Sequence, residues 1–282
     1  MDQKEYRIIS QGLALRVIES GRGQPLLCLH GLGCDHHMFD DLSRELSPSF
    51  RVIRMALRGH GGSDDPRRPW SVKDIAGDIL TVMDRLGLER TALVGHSLGG
   101  MAALQAALLA PHRISAMVLI ATSAEEEAPK RKAQLESLAL AIRFTGLRKG
   151  MLRIAAEGFF SPQFRAANPE CAAAWCSRWR AMPKHALLHA LHAVGARPSV
   201  MRRLGEIAIP VLVACGEQDA IADPAQAAAM VAALPEATLA VVPDTGHALP
   251  IERPRQLAVL MRNFMTAHGF PIAPPGDNHH SN

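Results

Sequence analysis

Thr91-Ala92-Leu93-Val94-Gly95-His96-Ser97-Leu98-Gly99-Gly100 sets one serine among three glycines, between two runs of different character. The apolar lead-in, Thr91 to Val94, has the length of a buried strand. The alanine-rich run that follows, Met101 to Ala110, has the composition of a helix. Ser97 therefore falls on a sharp strand-to-helix turn. Glycines on both sides are what such a turn demands, because Cβ atoms there would strike the strand or the helix.

The same rhythm extends in both directions. Pro25 to Leu29 is a short apolar run ending at His30-Gly31, and Phe50 to Met55 is another, ending before Arg58-Gly59-His60-Gly61-Gly62. Ser71 to Leu86 carries apolar residues at helical spacing (Val72, Ile75, Ile79, Val82, Met83, Leu86), with Ser71 and Asp74 placed to cap its start. Ala116 to Ile120, Pro210 to Cys215 and Ala237 to Val242 read as further strands. Strands alternating with helices indicate βαβ units and an α/β fold with a largely parallel sheet. Tyr6 to Glu19 is expected to form an antiparallel hairpin at one edge.

Residues 124–205 break this rhythm: helical patches without a buried strand, and six of the chain's 12 aromatic residues. We expect a helical cap inserted between core segments 1–123 and 206–270. A tail, 271–282, is expected to be disordered. The cap also carries 14 Lys or Arg against 6 Glu, in a chain whose formal net charge is only +4. That excess admits an anionic substrate, although a solvated helix surface explains it as well.

Other classes are excluded by composition. No apolar run approaches ~18 residues, so no membrane span is expected. The first residues, Met1 to Arg7, mix acids with bases and lack the apolar stretch of a secretory signal. Five cysteines without a CxxC pair point to reduced thiols, a cytoplasmic protein and no metal. Few aromatics and no binding motif argue against nucleic acid.

A serine hydroxyl needs a base to take its proton and an acid to hold that base. His247, in Asp244-Thr245-Gly246-His247, follows the last expected strand. Its rivals His30, His60 and His96 each have a simpler reading as turn-supporting loop residues. His185, His189 and His192 share one helix face with no acid in that run, and read as a polar surface. Asp219 stands at the carboxyl end of the Val211 to Cys215 run, with Glu217 and Asp223 as nearby alternatives better suited to the next helix. The Leu98 N–H and the Leu32 N–H, in His30-Gly31-Leu32-Gly33, are candidates to stabilise an oxyanion. Phe159, Phe160 and Trp175 are candidates for the substrate pocket.

Gly95-His96-Ser97-Leu98-Gly99, with His30-Gly31-Leu32-Gly33, Arg58-Gly59-His60-Gly61-Gly62-Ser63, Gly216-Glu217-Gln218-Asp219 and Gly246-His247, resembles the α/β-hydrolase superfamily over about residues 7 to 268. The resemblance implies a mostly parallel eight-stranded sheet flanked by helices, with a variable lid. It also implies the triad Ser97, Asp219 and His247. Leu32 to Phe39 is similar to the corresponding loop of 3-oxoadipate enol-lactonases and related carboxylesterases. A serine at position 97 departs from the branches that use aspartate there. Met55-Ala56-Leu57 stands where relatives often carry an aspartate before the Arg-Gly-His-Gly turn, so a looser loop is expected. The implied reaction is hydrolysis of a small ester or lactone through an acyl-enzyme, with no cofactor. C–C bond hydrolysis and acyl transfer would use the same residues, and a small-molecule receptor could use the same scaffold. Oligomeric state is not legible.

Overall fold

The computed structural model describes residues 3–271. The expected disordered tail lies, from residue 272 on, outside the described residues. Eight strands form one sheet: β1 (Gln3–Ser10), β2 (Leu13–Ser20), β3 (Gln24–Leu29), β4 (Phe50–Met55), β5 (Thr91–His96), β6 (Ile114–Ile120), β7 (Val211–Gly216) and β8 (Ala237–Val242). Their spatial order is β1-β2-β4-β3-β5-β6-β7-β8. The β1–β2 hairpin is antiparallel, β2 pairs antiparallel with β4, and every pairing from β4 onward is parallel.

Parallel strands covered on both faces must be apolar on both. On β3, Leu27 and Leu29 join one core cluster and Leu26 and Cys28 the other; on β5, Leu93 is separated from Ala92 and Val94 in the same way. The first cluster packs under α2 (Val72–Arg85), α3 (Leu98–Leu109) and α9 (Pro224–Ala233). The second lies beneath α1 (Asp40–Leu46) and α11 (Pro254–Ala267), with the short α10 (Leu249–Glu252) leading in. Helix α2 starts where its sequence says it should. The Ser71 hydroxyl accepts the Asp74 N–H and the Asp74 carboxylate accepts the Ser71 N–H.

Between β6 and β7 run α4 (Pro129–Thr145), α5 (Lys149–Phe159), α6 (Pro162–Ala167), α7 (Pro169–Ala181) and α8 (Lys184–Gly195). This insertion is tied to the sheet by polar contacts and an ion pair. Asp65 meets His185 at 3.3 Å and His189 at 3.2 Å, and Arg178 meets Asp35 at 3.1 Å. The face of His185 and His189 therefore does have an acid, supplied by a loop 120 residues upstream rather than by its own run.

The loop expected to be loose is anchored from another direction. Arg58 is buried and makes a two-pronged bond to the equally buried Asp78 of α2, at 2.7 and 2.9 Å, and Ser10 donates to the same carboxylate at 2.6 Å. Among the described residues no helix is long and apolar enough to cross a membrane. All five cysteines are unpaired.

Candidate active site

The chain places β4 on one side of β3 and then returns to lay β5 on the other. That reversal opens a crevice at the carboxyl ends of β3 and β5, the position where open parallel sheets bind ligands. The loop Gly31 to Gly33 leaves β3 there, and Ser97 leaves β5.

Ser97 has φ 50° and ψ −116°, a left-handed backbone that a side chain rarely adopts. Three bonds hold it: its N–H donates to Ile120 at 2.9 Å, and its carbonyl accepts the Met101 N–H at 3.0 Å and the Thr122 hydroxyl at 2.7 Å. The glycines make the turn possible by close approach. A Cβ on Gly95 would sit 2.6 Å from the Gly100 Cα, and one on Gly99 would overlap the Leu29 carbonyl. The strand, the turn and the helix are thus nearly in contact, and the positive end of α3 lies at the serine.

His247 follows β8 in a buried loop. Its Nδ1 lies 2.8 Å and 3.1 Å from the two carboxylate oxygens of Asp219. An ionised carboxylate only accepts, so Nδ1 carries a proton, and in the neutral ring Nε2 is the atom that can accept one. Asp219 also accepts the N–H groups of Ile221 and Ala222 at 2.8 and 2.9 Å. Burial pushes its pKa up, but His247, by its field and its hydrogen bond, and these two amides outweigh that and hold it below the ordinary carboxylate value. The two alternatives lie elsewhere. Asp223 caps α9 through the Ala225 N–H, and Glu217 accepts the Asp244 N–H.

The rival histidines are structural supports. His30 Nε2 accepts the Leu57 N–H at 3.0 Å, and His60 Nε2 accepts the Gly33 N–H at 3.2 Å. Both are buried, and desolvation pushes both toward the neutral form. His96 donates from Nε2 to the His247 carbonyl at 2.9 Å, and its ring lies 4.7 Å from the His247 ring. Together they fix the two loops that flank the serine. Among the described residues no protein acceptor takes the Leu32 N–H. Leu98 opens α3, where a helix leaves its first amides unsatisfied. Both donors are therefore free to bind an oxyanion.

Ser97, His247, His96 and Leu32 border one cavity of about 1410 Å³ beneath the inserted helices. Of the aromatic candidates, Phe159 lines it and Phe160 and Trp175 do not. Phe160 follows the end of α5 in extended backbone and stacks on Phe164, while Trp175 packs against Phe159 and under Arg178. Trp179, one turn along α7 from Trp175, takes the lining position instead.

One supporting residue has no readable signal in the sequence. Glu252 is buried, and its carboxylate accepts the Gly246 N–H at 3.1 Å and the Ser161 N–H at 3.2 Å. It ties the His247 loop to the insertion. Asp35, His36 and His37 bring one potential ligand atom each to within 4.8 Å. Asp35 is engaged by the His37 N–H and by Arg178, and His37 by Asp40.

Comparison with known proteins agrees with this fold. The family model described as alpha/beta hydrolase fold matches residues 24–254. A Bacillus subtilis protein, provisionally named as a 2-succinyl-6-hydroxy-2,4-cyclohexadiene-1-carboxylate synthase, is 30% identical over 92% of this chain and 97% of its own. An esterase from Thermogutta terrifontis superposes with TM-score 0.87 at 25% identity, covering 95% of this chain and 99% of its own. The enol-lactonase from Burkholderia xenovorans gives TM-score 0.86 at 25% identity, covering 93% and 100%.

Proposed function

The chain belongs to the alpha/beta hydrolase fold family, and on that premise we propose that it is a serine hydrolase cleaving a carboxylic ester or lactone through an acyl-enzyme. The observation that carries the reading is the His247–Asp219 contact of 2.8 Å, on a histidine that shares a cavity with the strained Ser97.

In the first half-reaction Ser97 Oγ attacks the carbonyl carbon and His247 Nε2 takes its proton. Asp219 holds the tautomer and stabilises the imidazolium. The carbonyl oxygen becomes an anion between the Leu32 and Leu98 amides, where each donor is worth ~10²–10³ in rate. Collapse of the tetrahedral species expels the alcohol or enol, which leaves with the proton from His247. Water then repeats the sequence on the acyl-serine and regenerates the hydroxyl. Residues 124–205 act as the cap that shields this chemistry from bulk water. The unpaired cysteines fit a reducing compartment such as the cytoplasm.

The test is hydrolysis of p-nitrophenyl butyrate by wild type and Ser97→Ala, with intact-mass analysis after an acid quench. Turnover by wild type, a loss of at least about 10⁴ in the variant and a butyryl adduct on wild type alone are expected. Equal activity in both proteins would overturn the assignment.

A further inference from the structure

The inserted helices turn apolar stripes toward a space that they do not fill. On α4, Leu135, Leu138 and Ile142 recur at the 3–4 spacing of one helix face, and all three line the cavity. On α8, which packs against α4, Leu187, Leu191 and Val194 do the same, and Met151 and Ala155 of α5 line a further wall. Stripes of this kind normally meet one another and exclude the space between them. Here α4 and α8 meet, but with α5 and the loops around Ser97 they line a cavity of about 1410 Å³, above the ~300–1,000 Å³ usual for a small-ligand site.

Charge is arranged against a polar guest. Arg197 is the buried cation of the lining, and its guanidinium donates to Glu127 at 2.6 Å and to the Val194 carbonyl at 3.0 Å. The other charged lining residues, Glu125, Glu126, Arg131, Lys132 and Arg202, are exposed and of both signs. A carboxylate carried into the interior would meet no unpaired cation, and an unpaired buried charge is costly. The basic excess of residues 124–205 is thus spent on surface and ion pairs. Part of the rim is apolar as well: Leu138, Ile154 and Ile221 line the cavity and are 37%, 64% and 41% exposed. Exposed apolar side chains beside a cavity mark a binding surface.

We propose that the substrate is an uncharged ester or lactone with a long apolar chain, which lies between the α4–α8 pair and α5 with its carbonyl at Ser97. This rests on the serine hydrolase reading above. The α4 stripe from Leu135 to Ile142 rises about 10 Å, room for a chain of about eight carbons. Dicarboxylates and short acyl groups would leave the cavity unfilled.

The experiment has a catalytic arm and a binding arm. kcat/KM is measured on p-nitrophenyl esters from acetate to laurate. A rise of about fourfold per methylene is expected, from ~0.8 kcal/mol per buried CH₂, with at least a hundredfold between acetate and octanoate. Methyl octanoate should be cleaved at least tenfold faster than its anionic counterpart monomethyl suberate. Leu191→Trp, or the rim variant Leu138→Trp should the first fail to fold, should lower the octanoate-to-acetate ratio at least tenfold. In the binding arm, Ser97→Ala is titrated calorimetrically with methyl esters of the same chain lengths, and affinity should climb with length. An optimum at acetate with a dead Ser97→Ala variant would overturn this inference and leave the serine mechanism standing. Failure to cleave any ester would overturn the mechanism, and the titration would then decide this inference alone: rising affinity upholds it and flat affinity ends it.

Discussion

His96 stands beside the catalytic candidates as a histidine that cannot accept a second proton without loss. Its Nε2–H is committed to the His247 carbonyl, and its Nδ1 is buried without a hydrogen-bond partner. A Cβ on Gly31 would sit 2.6 Å from that Nδ1, so there is no room for an acceptor on that side. Burial, followed by the nearby His247 charge, pushes its pKa down from 6.5 to about 3. The unfolded chain therefore binds a proton below pH 6.5 that the folded chain refuses until about pH 3. Stability from this residue is complete above pH 6.5 and is lost as pH falls toward 3. Between pH 7 and pH 5 the loss amounts to about 2 kcal/mol, a sizeable part of the ~5–15 kcal/mol of a typical domain. His96→Gln removes the titration while its amide N–H can still donate to the His247 carbonyl. Urea unfolding of both proteins at pH 7 and pH 5 gives a double difference in which the titrating groups that do not interact with His96 cancel, including His60, which is depressed in the same direction. Wild type should lose about 2 kcal/mol more than the variant over that interval. Equal losses, within ~0.5 kcal/mol, would mean that Nδ1 is protonated in the fold and that the argument from its missing partner is wrong.

Asp219→Asn should leave the fold intact and lower kcat by about 10⁴, because an amide can donate to Nδ1 and trap His247 in the unproductive tautomer; steady-state kinetics at saturating ester reads this. Asp78→Ala should cost about 3–5 kcal/mol, since it strands the buried Arg58 guanidinium, and chemical denaturation monitored by circular dichroism measures it. Glu252→Gln takes the charge from the acceptor of Gly246 and Ser161, so kcat/KM should fall roughly 10- to 100-fold while the chain-length preference stays. A preference that moved with it would show that Glu252 shapes the pocket rather than the His247 loop.

The strands, the Ser97 turn and the loops that bear Asp219 and His247 were legible because each is written in consecutive residues. A six-residue apolar run, a glycine before and after a serine, or a capping pair such as Ser71 and Asp74 restricts the backbone whatever surrounds it. Their order along the chain, with the carboxyl ends of parallel strands on one side, places them near one another before any distance is known. The loose loop before Arg58 and the choice of Phe160 and Trp175 were read on the same local basis, and there the structure differs; the polar face of His185 and His189 gains an acid from outside its own run. Asp65, Asp78 and Trp179 reach those sites from other elements, and Glu252 reaches the His247 loop without any pattern to announce it.

By itself, then, the sequence determined the order and kind of elements and the sharp turn at Ser97, since sterics and side-chain periodicity act within a few residues. Tertiary structure alone decided which carboxylate neutralises Arg58, which aromatic rings face the cavity and that the paired α4 and α8 leave a space before α5. Those outcomes depend on side-chain direction and on contacts between segments 20 to 120 residues apart, and no local pattern encodes the distance between two helices that meet only after the sheet has closed.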